Sequence, residues 1–158
     1  MTNYAKFRTA RASDLSYILA READSSNQFI HRWDETTHTA NMADNNFHYL
    51  IAQDPMGKIL GYAILKDNQD GRIEWRRVVI GAPGKGVGKA FMADVLAYFL
   101  NAGKNTIWLD VYENNVRARH VYTGLGFKET HRGPSPSNPK STLVFMEYQN
   151  DHSPQTTQ

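Results

Sequence analysis

The sequence predicts one α/β domain built on a mixed, mostly antiparallel sheet of about six or seven strands, with about four helices around it. Three observations carry this. Residues 47–80 contain three apolar-rich runs separated only by short turns, the pattern of neighbouring antiparallel strands. The third run then passes through a glycine-rich loop into a long apolar-periodic helix and a further strand, an order that implies a parallel crossover. A chain of 158 residues suffices for one core and is short for two. Residues 1–149 are read as that domain, and the polar stretch 150–158 as a tail without fixed structure.

Each element has a local reason. Tyr4 to Thr9 alternates around Phe7 as a short first strand, and Ser13 or Asp14 can cap a helix carrying Leu15, Ile18 and Leu19 at helical spacing. Ser25 to Asn46 holds Phe29, Ile30, Trp33 and Met42 without a sustained period and is read as a second helix with flanking loops. Phe47–Gln53 and Lys58–Leu65 form a hairpin about Asp54-Pro55-Met56-Gly57, and Arg72–Ile80 follows the turn at Asp67–Gly71. Strict alternation in this third run puts Ile73, Trp75, Arg77 and Val79 on one face and Glu74, Arg76, Val78 and Ile80 on the other. Val87, Phe91, Met92, Val95, Leu96, Phe99 and Leu100 form the apolar stripe of the long helix, which ends by Gly103. Asn105–Tyr112 alternates as a strand. Glu113-Asn114-Asn115 can cap a short helix from Val116 that stops at Gly124, Leu125-Gly126-Phe127 opens another extended run, and Thr142–Tyr148 closes the sheet.

Composition excludes several chemistries. The absence of cysteine removes disulfides, thiolate metal sites and a cysteine nucleophile. A net charge of +2 without a dense Lys/Arg run gives no footprint for nucleic acid. No apolar run approaches the ~18 residues that span a bilayer, and the first residues lack a secretory pattern, so the cytoplasm is the expected compartment and no membrane partner is expected. His31, Asp34 and His38 recur at i, i+3 and i+7, but no other ligand supports them and no metal is expected.

The chemistry concentrates in Pro83-Gly84-Lys85-Gly86-Val87-Gly88-Lys89-Ala90. Glycines at every second position leave backbone amides open to a ligand. The start of a helix and the charges of Lys85 and Lys89 favour an anion there, a phosphate or pyrophosphate. A Walker loop would need Gly at 83 and Ser or Thr at 90, where Pro83 and Ala90 stand, and neither register fits Gly-x-Gly-x-x-Gly. The alternative is a plain strand-to-helix turn with no ligand, since turns use glycine freely.

Two motifs in order resolve the choice: the loop Pro83–Gly88, then Asn115, Ala118, Tyr122 and Leu125-Gly126-Phe127 on and after the next helix. Together they resemble the GNAT superfamily of acyl-CoA-dependent N-acetyltransferases, from Phe7 to Tyr148. The departure is Pro83, where that family usually has Arg or Gln. The resemblance implies acetyl-CoA as co-substrate, lying between two splayed parallel strands that end at Ile80 and near Tyr112. Its pantetheine would run along Val78, Val79 and Ile80, its pyrophosphate would sit on Gly84, Lys85, Gly86, Val87, Gly88 and Lys89, and Asn115, Ala118 and Tyr122 would form the far wall. It implies Tyr122 as general acid toward the thiolate and Glu74 as general base, acting through water on a primary amine of a small molecule, amino acid or peptide; His120 and Asp110 stand in reserve. The residues alone leave Glu74 equally open to an ion pair with Arg72, Arg76 or Arg77. On the amine side, Trp33 and Tyr112 offer apolar contact and Asp34 and Glu35 a counter-charge, against a reading with Trp33 in the core and both acids in solvent. Proteins of this resemblance are commonly dimers, but nothing in the sequence marks an interface. The rival functions are a non-catalytic acyl-CoA sensor, motivated by Pro83, and an unrelated nucleotide-binding α/β domain.

Overall fold

The structure, a computed structural model, describes residues 3–24, 32–68, 70–82 and 84–149. Its elements in order are β1 (Lys6–Thr9), α1 (Leu15–Ala23), α2 (Glu35–Met42), β2 (Phe47–Gln53), β3 (Ile59–Asp67), β4 (Arg72–Ile80), α3 (Val87–Asn101), β5 (Thr106–Tyr112), α4 (Val116–Leu125), β6 (Lys128–Pro134) and β7 (Thr142–Gln149). The seven strands form one sheet in the order β1-β2-β3-β4-β5-β7-β6. Every neighbouring pair is antiparallel except β4 and β5.

That parallel pair is short. Arg72, Ile73 and Glu74 pair with Thr106, Ile107 and Trp108, and beyond Glu74 the two strands part. The edge of β4 that faces β5 therefore has no strand partner from Trp75 to Ile80, and a cleft opens in the middle of the sheet.

A bulge in β4 overturns the strict alternation read from the sequence. Leu65 pairs with Trp75 while its neighbour Ile64 pairs with Arg77, so Arg76 is an extra residue opposite no partner. Ile73 and Trp75 point into the main core, and after the bulge Val78 and Ile80 take over that face, while Val79 turns into the second core. The Trp75 indole N–H donates to the Arg77 carbonyl at 2.9 Å, which satisfies an acceptor at the bulge.

Two cores result. On one face of the sheet, Phe91, Met92, Val95, Leu96 and Phe99 of α3 pack on Leu65, Trp75, Ile107, Leu109 and Val144. On the other, Ile18 of α1 covers Tyr49, Ile51, Tyr62, Ile64 and Val79. α4 ends at Gly126 rather than Gly124. Gly126 has φ +112°, the left-handed conformation that closes a helix, and the Phe127 N–H returns to the Tyr122 carbonyl at 3.0 Å. The extended run after it begins at Lys128, so Leu125 belongs to the helix. Among the described residues no helix is long and apolar enough to cross a membrane.

Candidate active site

The parting of β4 from β5 is flanked by two cavities. One, of 450 Å³, lies between the glycine loop, the start of α3 and the inner face of α4. The other, of 390 Å³, lies between the bulge of β4, the middle of β5, Trp33 and the β6–β7 turn at Ser135–Ser137. They share Val78, Asn115 and Tyr122.

The lining of the first cavity is basic. Its wall carries Lys89 and Arg117 and no acidic residue. Gly84 and Gly86 have φ +90° and +76°, conformations that side chains other than glycine adopt at a cost, so the loop folds with its amides uncovered. Gly86 also stands directly before α3, whose first N–H groups have no helical acceptor. Of the residues predicted for the co-substrate, Val78, Ile80, Gly84, Gly86, Val87, Gly88, Lys89, Asn115, Ala118 and Tyr122 line this cavity. Val79 does not, since its side chain is in the second core and only its backbone faces the open edge of β4. Lys85 is exposed beside the loop without lining the wall. Pro83 lies outside the described residues.

Arg117 was not anticipated. It is the second residue of α4, and a Cβ built on Gly84 would lie 3.6 Å from its Nη2, so the guanidinium reaches across to the glycine loop. Among the described residues no carboxylate pairs with it, whereas Arg119, two positions on, bonds the Glu113 carbonyl at 2.9 Å. Its position two residues after the capping Asn115 was the available signal; the spacing says nothing of reach across a loop more than 30 residues earlier in the chain.

Asn115 caps α4 by accepting from the Ala118 N–H at 3.3 Å. The helix then carries Tyr122 to the junction of the two cavities. Burial, with the nearby Asp110 charge added, pushes the Tyr122 hydroxyl up to about 12, so it holds its proton at neutral pH.

The second cavity contains Glu74, Asp110 and Arg76. Glu74 lines this cleft, and its Oε2 lies 3.3 Å from Arg76 Nε, the ion pair that the sequence left open. Burial raises its pKa, with the Asp110 charge adding to the rise and Arg76 and Lys66 opposing it. Asp110 is open to solvent along the cleft but crowded by its walls, and this desolvation raises its pKa against the pull of Arg76. Trp33 and Tyr112 line the same cavity.

Trp33 is braced from beneath. The guanidinium carbon of Arg77 stands 3.8 Å from its ring centroid, and Arg77 in turn donates to Glu22 Oε2 at 2.7 Å. The other oxygen of Glu22 accepts from His38 Nε2 at 2.9 Å and from the Trp33 backbone N–H at 3.3 Å.

Asp34 and Glu35 line neither cavity. Asp34 is the exposed N-cap of α2 and accepts from the Thr37 N–H at 2.8 Å, and Glu35 is exposed in the first turn. His120 faces a separate groove beside β6. His38 is buried on Glu22 and Tyr49, which leaves it unable to share a metal with Asp34; His31 lies outside the described residues.

A model of the Acetyltransferase (GNAT) family matches residues 13–127, and the chain belongs to that family. It is accordingly an acetyl-CoA-dependent N-acetyltransferase. Solved structures share the fold at low identity. Spermidine N-acetyltransferase from Vibrio cholerae, in complex with CoA and spermine, is 20% identical with a TM-score of 0.78 over 91% of this chain and 94% of that one. The ribosomal-protein-S18-alanine N-acetyltransferase from Escherichia coli is 18% identical with a TM-score of 0.77 over 97% and 98%. A ribosomal-protein-alanine N-acetyltransferase from Brucella melitensis is 19% identical with a TM-score of 0.75 over 92% and 100%. At these identities the likeness is one of fold. No curated protein matches the chain by sequence.

Proposed function

We propose that the protein moves acetyl from acetyl-CoA directly to a primary amine, both substrates being bound together. The observation that carries this is the meeting of two cavities at Val78, Asn115 and Tyr122, one carrying cations and no acid, the other carrying the carboxylates Glu74 and Asp110 beside Arg76 and Arg77. Phosphates suit the side of Lys89, Arg117 and the loop amides, and a cationic amine suits the side of Glu74 and Asp110.

An ammonium group cannot attack, so one proton leaves it first, to Glu74 through water. The nitrogen then bonds the acetyl carbon and the carbon–sulfur bond breaks. The departing thiolate takes the Tyr122 proton, and the second proton of the attacking nitrogen restores Tyr122. With its pKa pushed up to about 12, the phenol carries the proton to be donated at neutral pH. The reaction is placed in the cytoplasm.

The experiment is release of free CoA from acetyl-CoA across polyamines, amino acids, aminoglycosides and short peptides, with Tyr122→Phe beside the wild type. Release that requires one amine class and collapses in the variant supports the reading. Tight acetyl-CoA binding without release on any amine would replace it with the sensor.

A further inference from the structure

The amine-side cleft contains a cation that acyl transfer does not itself require. Arg76 is the extra residue of the β4 bulge, with its guanidinium carbon 5.3 Å from the Trp33 ring centroid and its side chain 31% exposed. A guanidinium presents five N–H donors in one rigid plane. Its approach to Glu74 is closest at Nε, and no protein group among the described residues accepts a hydrogen bond from the rest of the fork. Asp110 stands on the other side of the splay, on β5, beyond the point where the strands cease to pair, and no ion pair engages it among the described residues. The free cleft thus offers one unpaired carboxylate and one guanidinium with unused donors.

On the reading that this cleft receives the amine, we propose that the substrate is an amino acid or similar short zwitterion, its ammonium facing Asp110 and its carboxylate held by the fork of Arg76. Planar bidentate recognition of carboxylates is what a guanidinium does best. A polyamine has no anion to offer Arg76, and its second ammonium would stand against a like charge. At 390 Å³ the cleft lies toward the small end of ligand pockets, which run from roughly 300 to 1,000 Å³. The substrate also alters the base. A carboxylate on the fork shares the Arg76 charge and weakens its hold on Glu74, so Glu74 becomes the stronger base only when the zwitterion is seated.

The test uses acetyl-CoA with the twenty amino acids, their decarboxylated amines such as cadaverine and phenethylamine, spermidine and an alanine-initiated peptide as probes. CoA release is followed for wild type, Arg76→Gln and Arg76→Lys, and acetyl-CoA affinity is measured by calorimetry on each. At least one amino acid should exceed its decarboxylated analogue about 100-fold in kcat/KM, a ratio within the reach of a charge-assisted bidentate pair. Arg76→Gln should reduce that ratio to a few-fold without altering acetyl-CoA affinity, and Arg76→Lys, which keeps the charge and loses the fork, should fall between. Turnover of spermidine, the plain amines or the peptide without turnover of any amino acid overturns the zwitterion and leaves the acetyltransferase standing. Acetyl-CoA binding with no turnover of any probe overturns both.

Discussion

Tyr122, the acid of the proposed reaction, carries its proton at neutral pH. Burial and the Asp110 charge keep its proton in place until about pH 12, so at neutral pH essentially every molecule carries it. Tyr122→Phe keeps the ring on Phe127, 5.9 Å between centroids, and removes the proton alone. Turnover should fall at least about ten-fold, within the usual range for a lost general acid, with acetyl-CoA affinity unchanged by calorimetry. Glu74, the base of the proposed reaction, would work in the opposite sense, since a base acts deprotonated and its rate is lost as pH falls through its pKa. Desolvation raises that pKa, so the acidic limb of the pH–rate profile should lie above the ordinary carboxylate range. Glu74→Gln should flatten the limb; an unaltered limb would move the proton acceptor to Asp110, the carboxylate whose charge Tyr122 feels. Arg117 is tested without any amine. Arg117→Ala should weaken CoA at least about ten-fold, the equivalent of 1.4 kcal/mol and less than one charged hydrogen bond to phosphate. Equal affinity in the variant would leave the phosphates to Lys89 and the loop amides.

The helix that carries both Arg117 and Tyr122 is fixed at its two ends by single residues. Asn115 caps its start, and Gly126 closes its end at φ +112°, where a Cβ would also come 2.9 Å from the Tyr148 ring. Gly126→Ala combines left-handed strain with an overlap on a packed aromatic, and should lower stability by more than about 1 kcal/mol, read as a fall in the urea midpoint. A midpoint equal to wild type would mean that the turn relaxes freely. Order and type of these elements were legible because each announces itself locally: the apolar stripe of α3, the alternation of β5 and the capping letters before α4 need no tertiary information. What was not legible depends on pairing. The bulge at Arg76 arises from the register of β3 against β4, and no letter in Arg72–Ile80 signals it. It reverses the faces of the residues after it, and so puts Val79 in the second core. Asp34 shows the same limit on a smaller scale, because one acidic letter beside Trp33 serves a counter-ion and an N-cap alike, and only the Thr37 contact decides.

Across the whole molecule, the Trp33 wall of the second cavity rests on a polar cluster that ties α1, α2 and three strands together. Glu22 accepts from His38, the Trp33 backbone, Tyr62 at 2.7 Å and Arg77 at 2.7 Å, and its side chain is 1% exposed. The Tyr49 hydroxyl donates to His38 Nδ1 at 2.7 Å and accepts from Asn41 at 3.4 Å, the assignment that gives both ring nitrogens a partner. Burial alone would raise the pKa of Glu22, but the hydrogen bonds from His38 and Tyr62 and the charge of Arg77 outweigh it and hold it at about 2. Because this folded-state value lies below the unfolded one near 4.5, the cluster stabilises the fold fully above that pH. The contribution, on the order of 3 kcal/mol, is lost as pH falls from about 4.5 toward 2. Glu22→Gln keeps the shape and removes the carboxylate charge that faces the buried Arg77 and His38, a loss of about 3–5 kcal/mol at neutral pH. Urea denaturation of both proteins at pH 7 and pH 3 separates charge from shape: the gap should be smaller at pH 3 than at pH 7, and a gap equal at both would assign the cost to packing. The same variant weakens the hold on Arg77 beneath Trp33, so it should raise KM for the amine while acetyl-CoA affinity holds, since Glu22 does not line the first cavity.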